Sequence, residues 1–257
     1  MSWDLITEIL TRHPADIRAE EGSHIVLLVV PQPENRTASR TRIVTKTVSQ
    51  LLWERDSDEQ WRNHHKLFKT LLRISGAKAF LGTVFEPAFH DLCIRGVTFT
   101  IYPMVRRRGT VNYIFTNDRP RRSESDSGSE ILMLNAQTQI DFDDQNNRMT
   151  SLLANHYYQP AASSYPSYDS FVFDPDFHQI SAFQVPTAEV HGLRSKGVSA
   201  LYEIGRRLKI DDLKIRIIAV VFGDAQVTFK VPKDLIQSLG CEMYALEVTE
   251  KQLYPYS

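Results

Sequence analysis

Three oxygen-bearing side chains along this chain can do chemistry together: Glu86, Asp169 and Gln184. A hard divalent cation such as Mg²⁺ takes several oxygen ligands, and carboxylates with a carbonyl oxygen supply them. Asp169 stands at the head of an apolar run, SFVF, and Gln184 interrupts a second one, ISAFQV. The backbone carbonyl of Val185 adds one more candidate oxygen. Each residue also has a plainer role. Glu86 suits a solvated helix position, as most acids do, and Asp169 suits a loop end or an Asx-turn. Gln184, between Phe183 and Val185, has little reason to be polar. The spacing alone is a weak signal.

The elements around these residues can be read from hydrophobic period. Tyr168–Phe173 and Gln179–Thr187 read as a hairpin about the Asp174–Pro175 turn. A helix over Leu193–Leu208 follows, with Val198, Leu201, Ile204 and Leu208 on one face and Arg194, Lys196, Arg206 and Arg207 elsewhere. Lys214–Phe222, KIRIIAVVF, is the strongest candidate for a strand buried on both faces. A Pro232-initiated helix to Leu239 and a strand over Cys241–Val248 close the chain.

Upstream, Ser2–Arg12 reads as a helix, and His24–Pro31 as a strand covered on both faces. A polar turn over Gln32–Ser39 precedes a second strand at Thr41–Lys46, and a helix at Val48–Glu54 comes next. Helices over Lys66–Ile74 and Ala77–Arg95, the latter holding Glu86, lead to a strand at Gly96–Met104. Ile131–Leu134 and Thr138–Asp141 read as a short hairpin. This order predicts an α/β core with a mixed central sheet flanked by helices. Between them, residues 105–130 hold the Arg106–Arg108 and Arg119–Arg122 clusters and the run SESDSGSE, with almost nothing to bury, so a mobile insertion is expected there. The organisation expected is an N-terminal helix-and-strand extension over 1–60, packed on a domain over 61–257.

Other chemistries find no pattern. His156, His178 and His191 are scattered without HExxH spacing, and no GxSxG elbow is present. The absence of GxxxxGK[ST] implies no nucleotide cofactor. The two cysteines, Cys93 and Cys241, sit in contexts that read as buried, against a disulfide framework.

Several stretches carry a family likeness: SHIVLLVVP with a following LLWER, LGTVFEPAFHDLCIRGVTFTIYPM around Glu86, and NHYYQPAASSYPSYDSFVFDPDFHQISAFQV with HGLRSKG. From about Gly22 to the C-terminus the chain resembles the nuclease-like module of fungal Crinkler-type and retrotransposon-hot-spot-like proteins. That resemblance implies a restriction-endonuclease-like, PD-(D/E)XK fold. In such a site two ligands on paired strands hold Mg²⁺ and a lysine two residues beyond the second stabilises the attacking water. Asp169 matches the strand acid, Gln184 the second ligand and Glu86 the helix glutamate. The lysine position is Pro186, which has neither a cation nor a hydroxyl to give. Lys196, on the following helix, is the candidate replacement, and Val190 stands where relatives carry a lysine.

The resemblance thus implies a nucleic-acid-binding, effector-type module with degenerate or weak phosphodiesterase activity, a pseudoenzyme with Mg²⁺ weakly held. Arg194, Lys196, Arg206 and Arg207 would contact phosphates. The alternatives are an active Mg²⁺-dependent nuclease and a non-enzymatic protein-interaction module. A partner ATPase domain acting in trans follows from the family's usual arrangement, and a host protein would be the partner of the interaction module. Composition is compatible with each of these readings. The chain has 257 residues, 42% hydrophobic and 24% charged, and a net charge of −1, so any nucleic-acid contact must be a local basic patch. The N-terminus lacks the apolar core of a signal peptide and no apolar run would span a bilayer, so a nuclear or cytoplasmic protein without membrane contact is expected.

Overall fold

The computed structural model of the chain describes residues 27–32, 35–43, 65–66, 68–69, 78–106, 108, 112–115, 128–142, 149–160, 167–185, 190–223, 227–232 and 240–254. The helices expected at Ser2–Arg12 and Val48–Glu54, the body of the helix expected after Pro232, the Arg119–Arg122 cluster and Pro186 lie outside these residues. The chain divides into two compact units, Met1–Ala88 with Tyr254–Ser257, and Phe89–Leu253.

In the first unit, β1 (Leu27–Gln32) and β2 (Asn35–Ile43) form an antiparallel pair, Leu27 opposite Ile43 and Pro31 opposite Ser39. The second strand starts at Asn35, six positions before the expected Thr41, so most of the supposed polar turn is strand. Its alternation of Arg36, Arg40 and Arg42 with Thr37, Ser39 and Thr41 is a period of two, which suits an extended chain even with only Ala38 and Ile43 apolar. Tyr254 stacks on His65, with ring centroids 4.4 Å apart, and lies against Phe68. Helix α1 (Lys78–Arg95) gives its residues up to Ala88 to this unit and Phe89 onward to the second.

The second unit is mixed α/β. Its main sheet has eight strands in the order β6-β3-β14-β12-β10-β9-β8-β7. These are β3 (Val97–Pro103), β6 (Glu130–Leu134), β7 (Thr138–Phe142), β8 (His156–Pro160), β9 (Ser170–Asp174), β10 (Gln179–Gln184), β12 (Lys214–Phe222) and β14 (Glu242–Val248). The hairpin β9–β10 is antiparallel, while β10, β12 and β14 run parallel. Helix α2 (Ser195–Arg207) makes the crossover between β10 and β12, as a parallel pair requires. The order of Tyr168–Phe173, Gln179–Val185 and Lys214–Phe222 as neighbours in one sheet follows the sequence expectation.

The two faces of this sheet have different covers. Val198, Leu201 and Ile204 of α2 are buried in one core with Phe171, Phe173, Ile180, Ala182, Ile215, Ile217 and Ala219, which are alternate residues of β9, β10 and β12. The intervening residues face the other way. Phe183 lies against Phe89 and Tyr157, and Phe89 against Phe99, so the C-terminal turns of α1 fill that side. Both faces of β12 are therefore buried, which explains its unbroken run of Ile, Ala and Val.

Strands β6 and β7 are not the hairpin expected from their adjacency. They form the two opposite edges of the sheet, β6 against β3 and β7 parallel to β8. Residues 135–137 join them. Such a link spans at most about 14 Å, whereas eight strands laid flat would spread over about 33 Å. The sheet must curl until its edges approach, and it curls around the end of α1, where Gln137 N donates to Ile94 O at 2.8 Å.

A four-stranded sheet completes the unit in the order β11-β13-β5-β4. It consists of β4 (Val105–Arg106), β5 (Asn112–Phe115), β11 (Val190–Gly192) and β13 (Val227–Lys230). Two of its strands fall inside the segment expected to be a mobile insertion. Asn112–Phe115 pairs along its length with Val227–Lys230, and Tyr113 packs on the main core. The arginine-rich composition hid a short β-forming stretch, NYIF. The short helix α3 (Glu250–Leu253) follows β14.

Candidate functional site

Asp169 immediately precedes β9, and its N–H donates to Phe183 O at 2.8 Å, continuing the hairpin ladder by one rung. Gln184 is the last residue of β10 and lies opposite Ala219 of β12. By the alternation of both strands, Asp169 and Gln184 point to the face that α2 covers. There the two side chains meet. Gln184 Nε2 donates to Asp169 Oδ2 at 2.9 Å, and the N–H of Val185 donates to the same oxygen at 2.7 Å. The amide orientation follows from the carboxylate, because an amide oxygen turned toward Oδ2 would set two acceptors against each other. Gln184 is only 6% exposed, and its Oε1 is buried with no hydrogen-bond partner among the described residues.

The same end of the sheet receives the start of α2. Arg194 is the N-cap residue, and its N–H donates to Ser167 Oγ at 2.7 Å while Ser167 Oγ donates back to Arg194 O at 2.8 Å. Leu193 N is held by Lys230 O at 3.0 Å. Arg194 and Lys196 are exposed, and the first turn of α2 contains no acid. The N-terminal end of the helix dipole thus adds to two cationic side chains.

Arg206 and Arg207 are at the other end of this helix. Twelve positions separate Arg194 from Arg206, about 18 Å at about 1.5 Å per residue. Arg206 is paired with Glu203 at 2.6 Å, and Arg207 Nη2 donates to Met149 O at 3.2 Å. Of the four basic residues expected to form one patch, only Arg194 and Lys196 lie at the Asp169 end. Glu86 is a half-buried residue of α1 and belongs to the first unit, whereas Asp169 and Gln184 belong to the second.

The donor set at Asp169 and Gln184 fits a hard dication poorly. It offers one carboxylate, whose Oδ2 already accepts two hydrogen bonds, and one neutral amide oxygen. Six to eight oxygens are the norm for Ca²⁺, and Mg²⁺ demands a near-octahedral shell. Among the described residues no three His, Cys, Asp or Glu side chains converge as a metal group.

A second polar cluster lies on the opposite face, among the aromatic residues against α1. Tyr157 Oη meets His90 Nδ1 at 2.7 Å and Ser170 Oγ at 2.6 Å, and all three residues are buried. Burial pushes the Tyr157 phenol well above its usual range, and it does the same to the neighbouring Cys93 thiol. The sequence signal for this cluster was HDLC in α1, where His90 and Cys93 fall three residues apart on one side of the helix. Ser170 and Tyr157 carried no such signal. Two histidines noted from the sequence face backbone carbonyls instead: His156 bonds Ala154 O at 2.8 Å and His178 bonds Asp211 O at 3.1 Å. Among the described residues both cysteines are free thiols, and no helix is long and apolar enough to cross a membrane.

The chain matches no family model, no curated protein and no solved structure.

Proposed function

We propose that the second unit is a restriction-endonuclease-like module that binds nucleic acid and has weak or no phosphodiesterase activity. The observation that carries this reading is the Asp169–Gln184 contact at the ends of two paired strands, beside a basic helix start. The fold reading is supported by the run β8-β9-β10-β12, antiparallel twice and then parallel, with α2 as the crossover before the last strand. In this reading the site keeps the positions of a nuclease but has lost its charges. An amide stands where a second carboxylate would help hold metal, and the carboxylate that remains is occupied by the Gln184 amide and the Val185 N–H.

Binding would rest on Arg194, Lys196 and the N–H groups of the first turn of α2, which can take a phosphate. Mg²⁺, in an intact site of this kind, neutralises charge that builds up on the phosphate. Without a matching donor set, and with one charged group commonly worth about 10²–10³ in rate, turnover falls to near background. A second reading, a protein-interaction module, is favoured by Ile131 and Met133, each 68% exposed on the edge strand β6. Its partner would be a host protein or an ATPase domain acting in trans.

Fluorescence anisotropy with labelled single-stranded DNA, duplex DNA and RNA, across a salt series, tests the binding. Arg194→Glu with Lys196→Glu should abolish it, and Arg206→Glu should change it little. Absence of binding to all three ligands overturns the proposal in favour of the interaction module. Robust Mg²⁺- or Mn²⁺-dependent cleavage, lost in Asp169→Ala, would instead make the chain an active nuclease.

A further inference from the structure

We infer that Ser167 is a positioning residue, which fixes the start of α2 against the strand end that carries Asp169. The inference rests on the nucleic-acid-binding reading above, because it assigns Ser167 the task of holding Arg194 and Lys196 in register with the Asp169–Gln184 pair. Ser167 lies two residues before Asp169 and is only 4% exposed. Its hydroxyl is used in both directions by one partner, accepting from Arg194 N at 2.7 Å and donating to Arg194 O at 2.8 Å. A serine hydroxyl has one proton to give, so this pairing spends it on a residue twenty-seven positions away.

The backbone adds a second argument. Ser167 has a φ of +85°, a left-handed conformation that serine rarely adopts. Strain of this kind persists only where the surroundings over-determine it, and it gathers at functional sites. Glycine would suit the conformation without strain but would have no hydroxyl to reach Arg194. The chain therefore keeps the side chain at the expense of the backbone. The C=O of Arg194 also accepts from Gly197 N at 3.1 Å, so the Ser167 hydroxyl bonds the same carbonyl that opens the first turn of α2. Loosening it would let Arg194 and Lys196 move relative to Asp169, while the core contacts of Val198, Leu201 and Ile204 stay in place.

Comparing two variants separates hydroxyl from backbone: Ser167→Gly removes the hydroxyl and relaxes the backbone at once. Ser167→Ala removes the hydroxyl and keeps the strained φ. Hydrogen exchange of the intact chain, followed in the segment holding residues 193–198, reads the latch without any ligand. Both variants should exchange faster there, by about fivefold or more, with little change across β12. Anisotropy with labelled duplex DNA reads the consequence: weaker binding by about fivefold, and a salt slope shallower by about one phosphate contact. A purely structural serine would lower the melting temperature and leave the slope unchanged. Unchanged exchange in Ser167→Gly overturns the inference, whether or not the chain binds nucleic acid. Faster exchange in a protein that binds DNA with wild-type affinity and slope overturns it as well. Faster exchange in a protein whose wild type binds no nucleic acid supports the latch and sinks the binding reading alone.

Discussion

Gln184 gives its side-chain amide to Asp169 at 2.9 Å, so the two residues that close β10 and open β9 hold each other. Asp169 also caps the chain beyond the hairpin by accepting the Val185 N–H at 2.7 Å. One carboxylate oxygen thus ties three points of two strands together, and it does so on the face under α2.

Substitutions at Asp169 should separate acceptor from charge. In Asp169→Asn an amide oxygen placed at the Oδ2 position still accepts from both the Val185 N–H and the Gln184 amide. The cost should stay below about 1 kcal/mol. Asp169→Ala leaves a buried N–H and a buried amide without an acceptor and should cost about 2–3 kcal/mol. Urea unfolding measures both, and equal losses would mean the hydrogen bonds contribute nothing.

Gln184→Glu sets a second carboxylate against Asp169 Oδ2 in a buried position. Like charge and burial raise the folded-state pKa of the pair above the unfolded value of about 4.3. The variant is then nearest to wild-type stability below that unfolded value and loses stability as pH rises through the folded pKa, by about 1.4 kcal/mol per unit. Melting temperatures of the variant and wild type should diverge as pH rises above about 4 and stop diverging once the folded pair has lost its proton. Added Mg²⁺ or Ca²⁺ should narrow the gap in the variant only. A pH-independent difference would show that the two side chains do not meet.

Alkaline stability should report on Cys93. Burial raises its thiol pKa well above the usual range, so the folded state keeps a proton that the unfolded state gives up near its ordinary pKa. The stability this contributes is complete below that ordinary value and is lost as pH climbs beyond it. The less deeply buried Cys241, pushed up to about 12, loses its share over the window between its ordinary value and about pH 12. Cys93→Ala should flatten the fall above about pH 9 by about 1.4 kcal/mol per pH unit. In the wild type, Cys93 should react with a thiol reagent only as fast as the protein opens.

Gly96 ends α1 with a φ of +93°, and a Cβ there would approach the Ala136 nitrogen to 2.9 Å and the Asn135 carbonyl carbon to 3.0 Å. Those are backbone atoms of the link between the sheet edges and cannot step aside cheaply. Gly96→Ala should therefore destabilise by about 2–3 kcal/mol, through both conformation and contact. A neutral effect in thermal unfolding would refute the tight junction.

Deleting Gly109–Gly128 removes β5, whose residues pair with all of β13 and whose Tyr113 packs on the core. A loss of about 2–4 kcal/mol is expected, which for a domain of this size lowers the melting temperature by about 5–15 °C. Little or no shift would mean that the second sheet stands without one of its two inner strands.

The parts of this protein legible in its sequence are those whose signal is local. Lys214–Phe222 had to be a buried strand because no residue in its centre tolerates water, and α2 announced its core face through Val198, Leu201 and Ile204. Asp169, at the head of one apolar run, and Gln184, within another, were weak signals by spacing, and it was the family resemblance that singled them out. Other features needed the tertiary structure because they depend on partners distant in the chain. Adjacent strands β6 and β7 became opposite edges only because the sheet curls around α1, which no period of hydrophobicity encodes. NYIF became a strand because Val227–Lys230 came to lie beside it. Arg194 and Arg207 are both basic residues of one helix neighbourhood, but the helix rise sets them at its opposite ends. Ser167, an ordinary serine in the sequence, acquired its role from a left-handed backbone and from Arg194, which only the packing of α2 brings within hydrogen-bond reach.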